Sequence, residues 1–469
     1  MDYLKLYIDG QWVDGHSNQR IAVENPATEK TVAQVPAGDS EDVNRAVAAA
    51  KQGFETWKKT PLHDRLAYLS RSLEIFQSFE DELVQIEVSE LGSPVSRTRK
   101  VHVVGPMKRF EKYLKIAPDF SFEEALPRSK VLKEPAGVVG CITPWNYPLD
   151  QVMQKVIPAL ICGNAVILKP SQVTPLSVYW LAEAFHRAQL PKGVFNLVTG
   201  RGAEVGNVLA SHPDVDMISF TGSTDGGIEV GKLALGTVKK IALELGGKSA
   251  NLVLKGADYE NAVETSLNST FYNTGQSCNA LTRLIVPKED LPEIETLIEN
   301  KYSHYQVGDP GDEATDIGPL SSKKQFDKVK FYVEKGIAEG AELLVGKVPE
   351  KASTGYFVEP VVFTKVSNQM KIAQEEIFGP VLCVIPYEGI DEGVRIANDS
   401  VYGLSGAVFG PKEEAEKAAD KIRAGNVYVN NGKWDPLAPF GGYKQSGIGR
   451  EGGFYGLEEF VEIKTVFNQ

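Results

Sequence analysis

Of the four cysteines in this chain, one sits among residues that suit a nucleophile. Cys141 in Val138-Val139-Gly140-Cys141-Ile142, Cys162 after Ala159-Leu160-Ile161, and Cys383 in Val381-Leu382-Cys383-Val384 lie in apolar runs. A free thiol there behaves as a small core residue. Cys278 lies in Asn273-Thr274-Gly275-Gln276-Ser277-Cys278-Asn279-Ala280, a polar, small-residue segment between a helical stretch and an apolar run. A reactive thiol needs partial exposure and polar neighbours that favour the thiolate. Residue type alone leaves two readings open, a nucleophile and a quiet loop cysteine. No two cysteines have metal-ligand spacing, and His16, His63, His102, His186, His212 and His304 are scattered, so no metal site is expected. A Cys-His hydrolase needs a histidine beside the thiol; His304 is nearest downstream, and spacing alone does not bring it there.

Other segments suit a phosphate-bearing ligand. Phe220-Thr221-Gly222-Ser223-Thr224-Asp225-Gly226-Gly227 follows an apolar run and opens a helical one. Small residues at such a turn let backbone N–H groups approach a phosphate, assisted by the helix dipole. A tight strand-to-helix turn would look the same. Lys169-Pro170-Ser171 closes the run Ala165 to Leu168, where a strand-end lysine can reach a sugar or phosphate. Gly246-Gly247-Lys248-Ser249 ends like a P-loop, but the motif's first glycine would fall on Ala242, so nucleotide triphosphate hydrolysis is not expected. No serine sits in a nucleophile elbow.

The elements that must position these residues alternate. Leu4 to Ile8 reads as a strand running into Asp9-Gly10, and Asn25-Pro26-Ala27-Thr28 as a turn. Ser40 to about Leu91 is helical, with Ser40 read as the cap ahead of Val43, Ala46, Val47 and Ala50. Strands are then predicted at 138–142, 165–168, 194–198, 217–220 and 241–245, with amphipathic stretches at 176–188 and 204–210 between them. This pattern predicts a parallel, doubly wound sheet that binds ligands at the carboxyl ends of its strands. A second series, at 251–254, 281–286, 381–385 and 426–429, places a domain boundary near Gly246-Gly247.

A length of 469 residues fits two or three domains. With 42% hydrophobic and 24% charged residues, the chain reads as a soluble globular α/β protein. The net charge of −12 gives no footprint for nucleic acid or an anionic membrane. No apolar stretch is long enough to span a bilayer. The first residues lack a basic segment followed by an apolar one, and the cysteines form no disulfide framework, so a cytoplasmic location is expected.

Taken together, the motifs resemble the aldehyde dehydrogenase superfamily. Leu243-Glu244-Leu245-Gly246-Gly247-Lys248 is similar to its glutamate motif and Gly275-Gln276-Ser277-Cys278 to its cysteine motif, with Cys278 34 residues after Glu244. Pro144-Trp145-Asn146-Tyr147-Pro148, Lys169-Pro170-Ser171, Phe220-Thr221-Gly222-Ser223, Glu375-Glu376-Ile377-Phe378-Gly379-Pro380 and Pro439-Phe440-Gly441-Gly442 follow in family order. The resemblance implies a Rossmann-like NAD(P)-binding domain over 1–117 and 136–246, an α/β catalytic domain over 247–450, and a small β oligomerisation element from 118–135 and 451–469. It implies a homodimer or homotetramer acting on a small-molecule aldehyde, with NAD or NADP as cofactor.

By the same resemblance, Cys278 attacks the aldehyde, Asn146 and the Cys278 backbone N–H hold the oxyanion, and Glu244 activates the water that hydrolyses the thioester. Losing one oxyanion donor typically costs about 2.7–4 kcal/mol. Lys155 and Glu451 match accessory positions. Expected cofactor contacts are Ile142, Thr143, Pro144, Trp145, Lys169, Ser171, Gln172, Gly202, Gly206, Phe220, Thr221, Gly222, Ser223, Leu245, Gly246, Glu376 and Phe378. Expected substrate-pocket residues are Tyr147, Asp150, Gln151, Gln154, Ser277, Asn279 and Trp434. Gln172 departs from the glutamate common in strictly NAD-preferring members, which removes a repulsion for a 2′-phosphate, so NADP is expected to be tolerated. The competing readings are a cofactor-independent thiol esterase or acyltransferase and a catalytically silent homologue; Cys278, Glu244 and Asn146 together disfavour the second.

Overall fold

The computed structural model describes residues 3–467. Its first sheet has eight strands in the order Gly447–Ile448, Lys240–Glu244, Met217–Thr221, Val138–Ile142, Ala165–Lys169, Phe195–Leu197, Leu6–Ile8, Gln11–Val13. The five central strands run parallel, and both edges are antiparallel. Four of the five are buried from end to end or nearly so, as continuous apolar runs covered by helices on both faces must be. The chain winds outward from Val138–Ile142 to Phe195–Leu197, then returns to lay Met217–Thr221 on the other side of Val138–Ile142. That reversal opens a crevice beyond the carboxyl ends of the strands, where doubly wound sheets bind ligands.

The second sheet has seven strands, ordered Glu342–Val345, Val361–Thr364, Val381–Tyr387, Arg283–Pro287, Ala250–Val253, Ser405–Phe409, Asn426–Val429, parallel but for the first pair. A third sheet joins Val461–Phe467 antiparallel to Ser129–Pro135, which pairs with Glu123–Leu126. Gly447–Ile448 lies within the 247–450 span yet hydrogen-bonds to Lys240–Glu244, so the chain returns to the first sheet before its tail.

Most predicted strands stand within two residues of their observed bounds. The strand expected at 281–286 begins at Arg283, because Ala280 to Thr282 are the lead-in from a turn. Glu342–Val345, Val361–Thr364 and Ser405–Phe409 lie outside the predicted strands. The stretch from Ser40 to Leu91 is three helices, Ser40–Trp57, Leu62–Gln77 and Glu80–Leu91. The first cap is Asp39 rather than Ser40: the Asp39 carboxylate accepts from the Glu41 and Asp42 N–H groups, and Asp42 returns a bond to the Asp39 N–H. That reciprocal capping box satisfies donors the first turn leaves open.

Candidate active site

Cys278 lies in a turn closed by the Ala280 N–H donating to Ser277 O, after the helix Tyr259–Phe271 and before the strand Arg283–Pro287. The approach is wound tightly, with Asn273, Thr274 and Gly275 all left-handed. Gln276 pins it: its Nε2 donates to Asn273 O and its Oε1 accepts from Ser321 N at 2.9 Å. Asn146 Nδ2 donates to Gln276 O at 2.9 Å, and Asn273 Nδ2 donates to Asn146 O at 2.9 Å. The first-sheet loop after Val138–Ile142 is thereby tied to the cysteine turn. One N–H of the Asn146 amide is used in that tie.

Cys278 is half-buried. Burial pushes its thiol up, and the carboxylates of Glu376 and Glu244 push it further; the backbone N–H groups of Cys278 and Asn279, aimed at the sulfur, oppose this. Glu244 ends the Lys240–Glu244 strand and is only 5% exposed, with neither carboxylate oxygen hydrogen-bonded among the described residues. Burial raises its pKa well above the usual carboxylate range, Glu451 adds to this, and Lys155 opposes it. Lys155 and Glu451 are a buried ion pair, joined by a hydrogen bond from Lys155 Nζ to Glu451 Oε1. Gly247 allows the two halves to close, since a Cβ there would lie 2.3 Å from Cys278 O. Its N–H donates to Glu376 Oε1 at 2.9 Å.

A cleft of about 590 Å³ runs along the carboxyl ends of the first sheet to this sulfur. Pro144, Trp145, Asn146, Lys169, Ser171, Gln172, Gly202, Thr221, Gly222, Ser223, Leu245, Gly246, Glu376, Phe378 and Cys278 line it. The remaining expected cofactor residues stand behind its wall. Phe220 lies beneath Gly222, a Cβ added at Gly206 would come within about 4 Å of Ile142 and Lys169, and Thr143 N donates to Lys169 O. Three features suit a dinucleotide. Lys169 is buried, without a carboxylate partner among the described residues, and burial lowers its pKa to about 8. Thr221 Oγ1 is buried without a hydrogen bond among those residues. Ser223 caps the helix Thr224–Ala234 by accepting from Gly226 N, at the end where the helix dipole favours anions. Trp145 and Phe378 meet edge to face, 5.3 Å apart.

The residues expected for the substrate do not all converge. Tyr147, Asp150, Gln154 and Trp434 line a second cavity of about 490 Å³. Ser277 supports it, its Oγ lying 2.6 Å from Tyr147 Oη. Gln151 faces the dinucleotide cleft instead, and Asn279 lines a third cavity of about 200 Å³ with Thr265, Ser269 and Tyr428. The turn explains Asn279, because side chains at its two central positions diverge. His102 stacks on Tyr147, 5.1 Å between ring centroids, and burial holds its pKa down at about 3, so it is neutral. Ser322, Lys324, Gln325 and Lys328 also line the cleft, and Lys108, Arg109, Lys112 and Tyr113 the second cavity. No sequence motif marks them; they lie on amphipathic helices whose polar faces look like any solvated face. Among the described residues no cluster of metal-ligating side chains is present, and no helix is long and apolar enough to cross a membrane.

The family model described as the aldehyde dehydrogenase family matches residues 12–466. A 3-succinoylsemialdehyde-pyridine dehydrogenase from Pseudomonas sp is 48% identical, over 99% of this chain and 98% of that protein. Among solved structures, a mutant of aldehyde dehydrogenase C from Pseudomonas syringae, in complex with NAD+ and octanal, superposes with a TM-score of 0.96 at 45% identity, covering 99% of this chain and 96% of that one. Mycobacterium tuberculosis aldehyde dehydrogenase complexed with NAD+ gives 0.96 at 41%, covering 100% and 98%.

Proposed function

The chain belongs to the aldehyde dehydrogenase family and oxidises an aldehyde with a nicotinamide dinucleotide; we propose that Cys278 is its nucleophile, Asn146 its oxyanion donor and Glu244 its base. The observation that supports this is the tie between Asn146 and the cysteine turn, which sets an amide donor and the sulfur at one end of the cleft. The thiolate adds to the aldehyde carbon, and the carbonyl oxygen gains negative charge. Asn146 Nδ2–H and the Cys278 backbone N–H are the donors for that charge. A nicotinamide dinucleotide bound in the cleft would supply the hydride acceptor that this oxidation requires. Glu244 then takes a proton from the water that attacks the thioester, releasing the acid and the thiol. Its raised pKa suits a base that must also give the proton back. Lys155 and Glu451 position Glu244 electrostatically, the first lowering and the second raising its pKa.

Lys169 is assigned to the adenosine ribose, Thr221, Gly222 and Ser223 to the pyrophosphate, and Glu376 to the nicotinamide ribose. Gln172 is assigned beside the adenosine ribose hydroxyls, and NADP is accepted as well as NAD. The cofactor domain is 1–117 with 136–246, the catalytic domain 247–450, and 118–135 with 451–469 the oligomerisation element of a cytoplasmic homodimer or homotetramer. Support for that element is its outer strand, Glu123–Leu126, exposed throughout, and the outward side chains of Ile463 and Phe467, 70% and 81% exposed.

Single-turnover kinetics test the roles. Glu244→Gln should give one equivalent of reduced cofactor in a burst and then stall, the thioester being trapped and visible by intact mass. Continued turnover of Glu244→Gln at the parent rate would remove Glu244 from the mechanism.

A further inference from the structure

The cavity beyond Tyr147 abuts the nucleophile turn, since Tyr147 lines it and pairs with Ser277, the residue before Cys278. Much of its wall is apolar: Val101, Ile116, Tyr147, Trp434 and Pro436. Its charged lining is not balanced. From the helix Gly105–Ile116 come Lys108, Arg109 and Lys112, and from the helix Pro148–Ile161 only Asp150. Lys433 and Asp435 flank Trp434 in sequence but do not line the cavity. Arg109 is already satisfied: Nε donates to Asp150 Oδ1 at 2.7 Å, and the guanidinium lies 5.2 Å from the centre of the Trp434 ring. The polar interior is closed by Tyr113 Oη donating to Gln154 Oε1 at 3.2 Å. Two ammonium groups remain, Lys108 exposed and Lys112 half-buried, with no carboxylate in salt-bridge range among the described residues. They stand four residues apart on one helix face, a like-charge spacing that costs helix stability unless an anion lies between.

We propose that this cavity selects aldehydes carrying a carboxylate at the end remote from the carbonyl, joined to it by an apolar spacer, with Lys108 and Lys112 as the carboxylate subsite. The assignment rests on the dehydrogenase reading above and names its substrate class. The apolar wall takes the spacer, Tyr147 leads the carbonyl end to Cys278, and the two lysines meet the distal charge. In a chain of net charge −12, a mouth with two unpaired cations is a local reversal that also steers an anion inward. The same arrangement disfavours a cationic aldehyde, because the Trp434 face that would hold an ammonium is taken by Arg109.

The subsite touches the end of the substrate that does not react, so it acts alike on ground and transition states and should appear in KM. Octanal and 8-oxooctanoate, matched in chain length, isolate the effect. The parent enzyme should favour the oxo acid by about tenfold in kcat/KM at low ionic strength, or about 1.4 kcal/mol. In about 0.5 M salt the preference should shrink towards parity. The double variant Lys108→Ala/Lys112→Ala should lose the preference through a raised KM for the oxo acid, Lys108→Glu/Lys112→Glu should invert it, and Lys108→Arg/Lys112→Arg should keep most of it. A parent ratio at or below one, or an unchanged ratio in the double alanine variant, would overturn the subsite while leaving the dehydrogenase reading intact. Oxidation of neither aldehyde by the parent would sink both.

Discussion

At the scale of single residues, the site is built on charges and protons held where water cannot easily reach them. Cys278 is pushed up by burial and by two carboxylates, so the resting thiol is protonated and its rate of attack should climb with pH. Cys278→Ala should lower aldehyde oxidation by about 10⁴-fold or more, the scale seen when a nucleophile is removed, while cofactor binding followed by quenching of tryptophan fluorescence persists. Loss of cofactor affinity in step with activity would point to a collapsed loop instead. Glu244 carries a second consequence. A carboxylate whose folded pKa lies above its unfolded value binds more protons when folded, so its contribution to stability is greatest at low pH and falls as pH rises through that folded value. Replacing it with an amide that does not titrate removes the loss. Glu244→Gln should therefore melt about 1 °C or more above the parent at pH 8 and show no such gain at pH 4.5, as calorimetry at the two values would reveal. A gain of equal size at both would mean that packing, not titration, is responsible. The proposed base would then be stabilised by losing the charge that its role requires.

At the scale of elements, the decisive pieces are the turns at strand ends. Gly275, at φ 72°, is left-handed, and a Cβ there would lie 2.1 Å from the Gly379 carbonyl carbon. A collision with backbone cannot be relieved by a rotamer change, so Gly275→Ala must move the Glu376–Phe378 segment or the cysteine turn. The variant should lose at least several degrees of melting temperature and most of its activity; parent-like values for both would show that the approach of the two loops is not required. Sequence legibility divides along the same lines. The strand from Val138 to Ile142 could be read because a strand buried on both faces is a plain apolar run. Glu244, Asn146 and Cys278 could be read because their motifs are short, ordered and rich in small residues. Glu342–Val345 escaped because it is an edge strand with a mixed, partly exposed pattern. Asn279 lines a cavity apart from that of Tyr147, since adjacency in sequence says nothing of which way a turn aims its side chains. Lys108 and Lys112 escaped because a lysine pair on a helix face has the same spacing whether it meets solvent or a cavity.

At the scale of the molecule, the cleft joins two independently cored halves. Lys169, Thr221 and Ser223 come from the first sheet and its loops, while Ser322, Lys324, Gln325, Lys328, Glu376 and Phe378 come from the second. Gln325 Nε2 also donates to Phe378 O at 2.7 Å, so the helix Lys323–Ala338 steadies the loop facing Trp145. A net charge of −12 should repel a dinucleotide, yet among the described residues Lys169, Lys324 and Lys328 face the cleft against one carboxylate, that of Glu376. The local sign is reversed where a pyrophosphate would pass. A ligand held by both halves loses the contacts of whichever half unfolds, so it binds the doubly folded state best and binding couples their melting. At a concentration of about 100 Kd, either NAD or NADP should stabilise the fold by about 2.7 kcal/mol. On the proposed placement the two cofactors would separate at Gln172, which lines the cleft and carries no charge to repel a 2′-phosphate. Gln172→Glu adds that charge. The variant should keep the NAD-induced rise in melting temperature, lose most of the rise caused by NADP, and lower relative kcat/KM for NADP by about tenfold or more. NADP stabilising the variant as strongly as it does the parent would place Gln172 away from the ribose and return the cofactor preference to the cations of the second half.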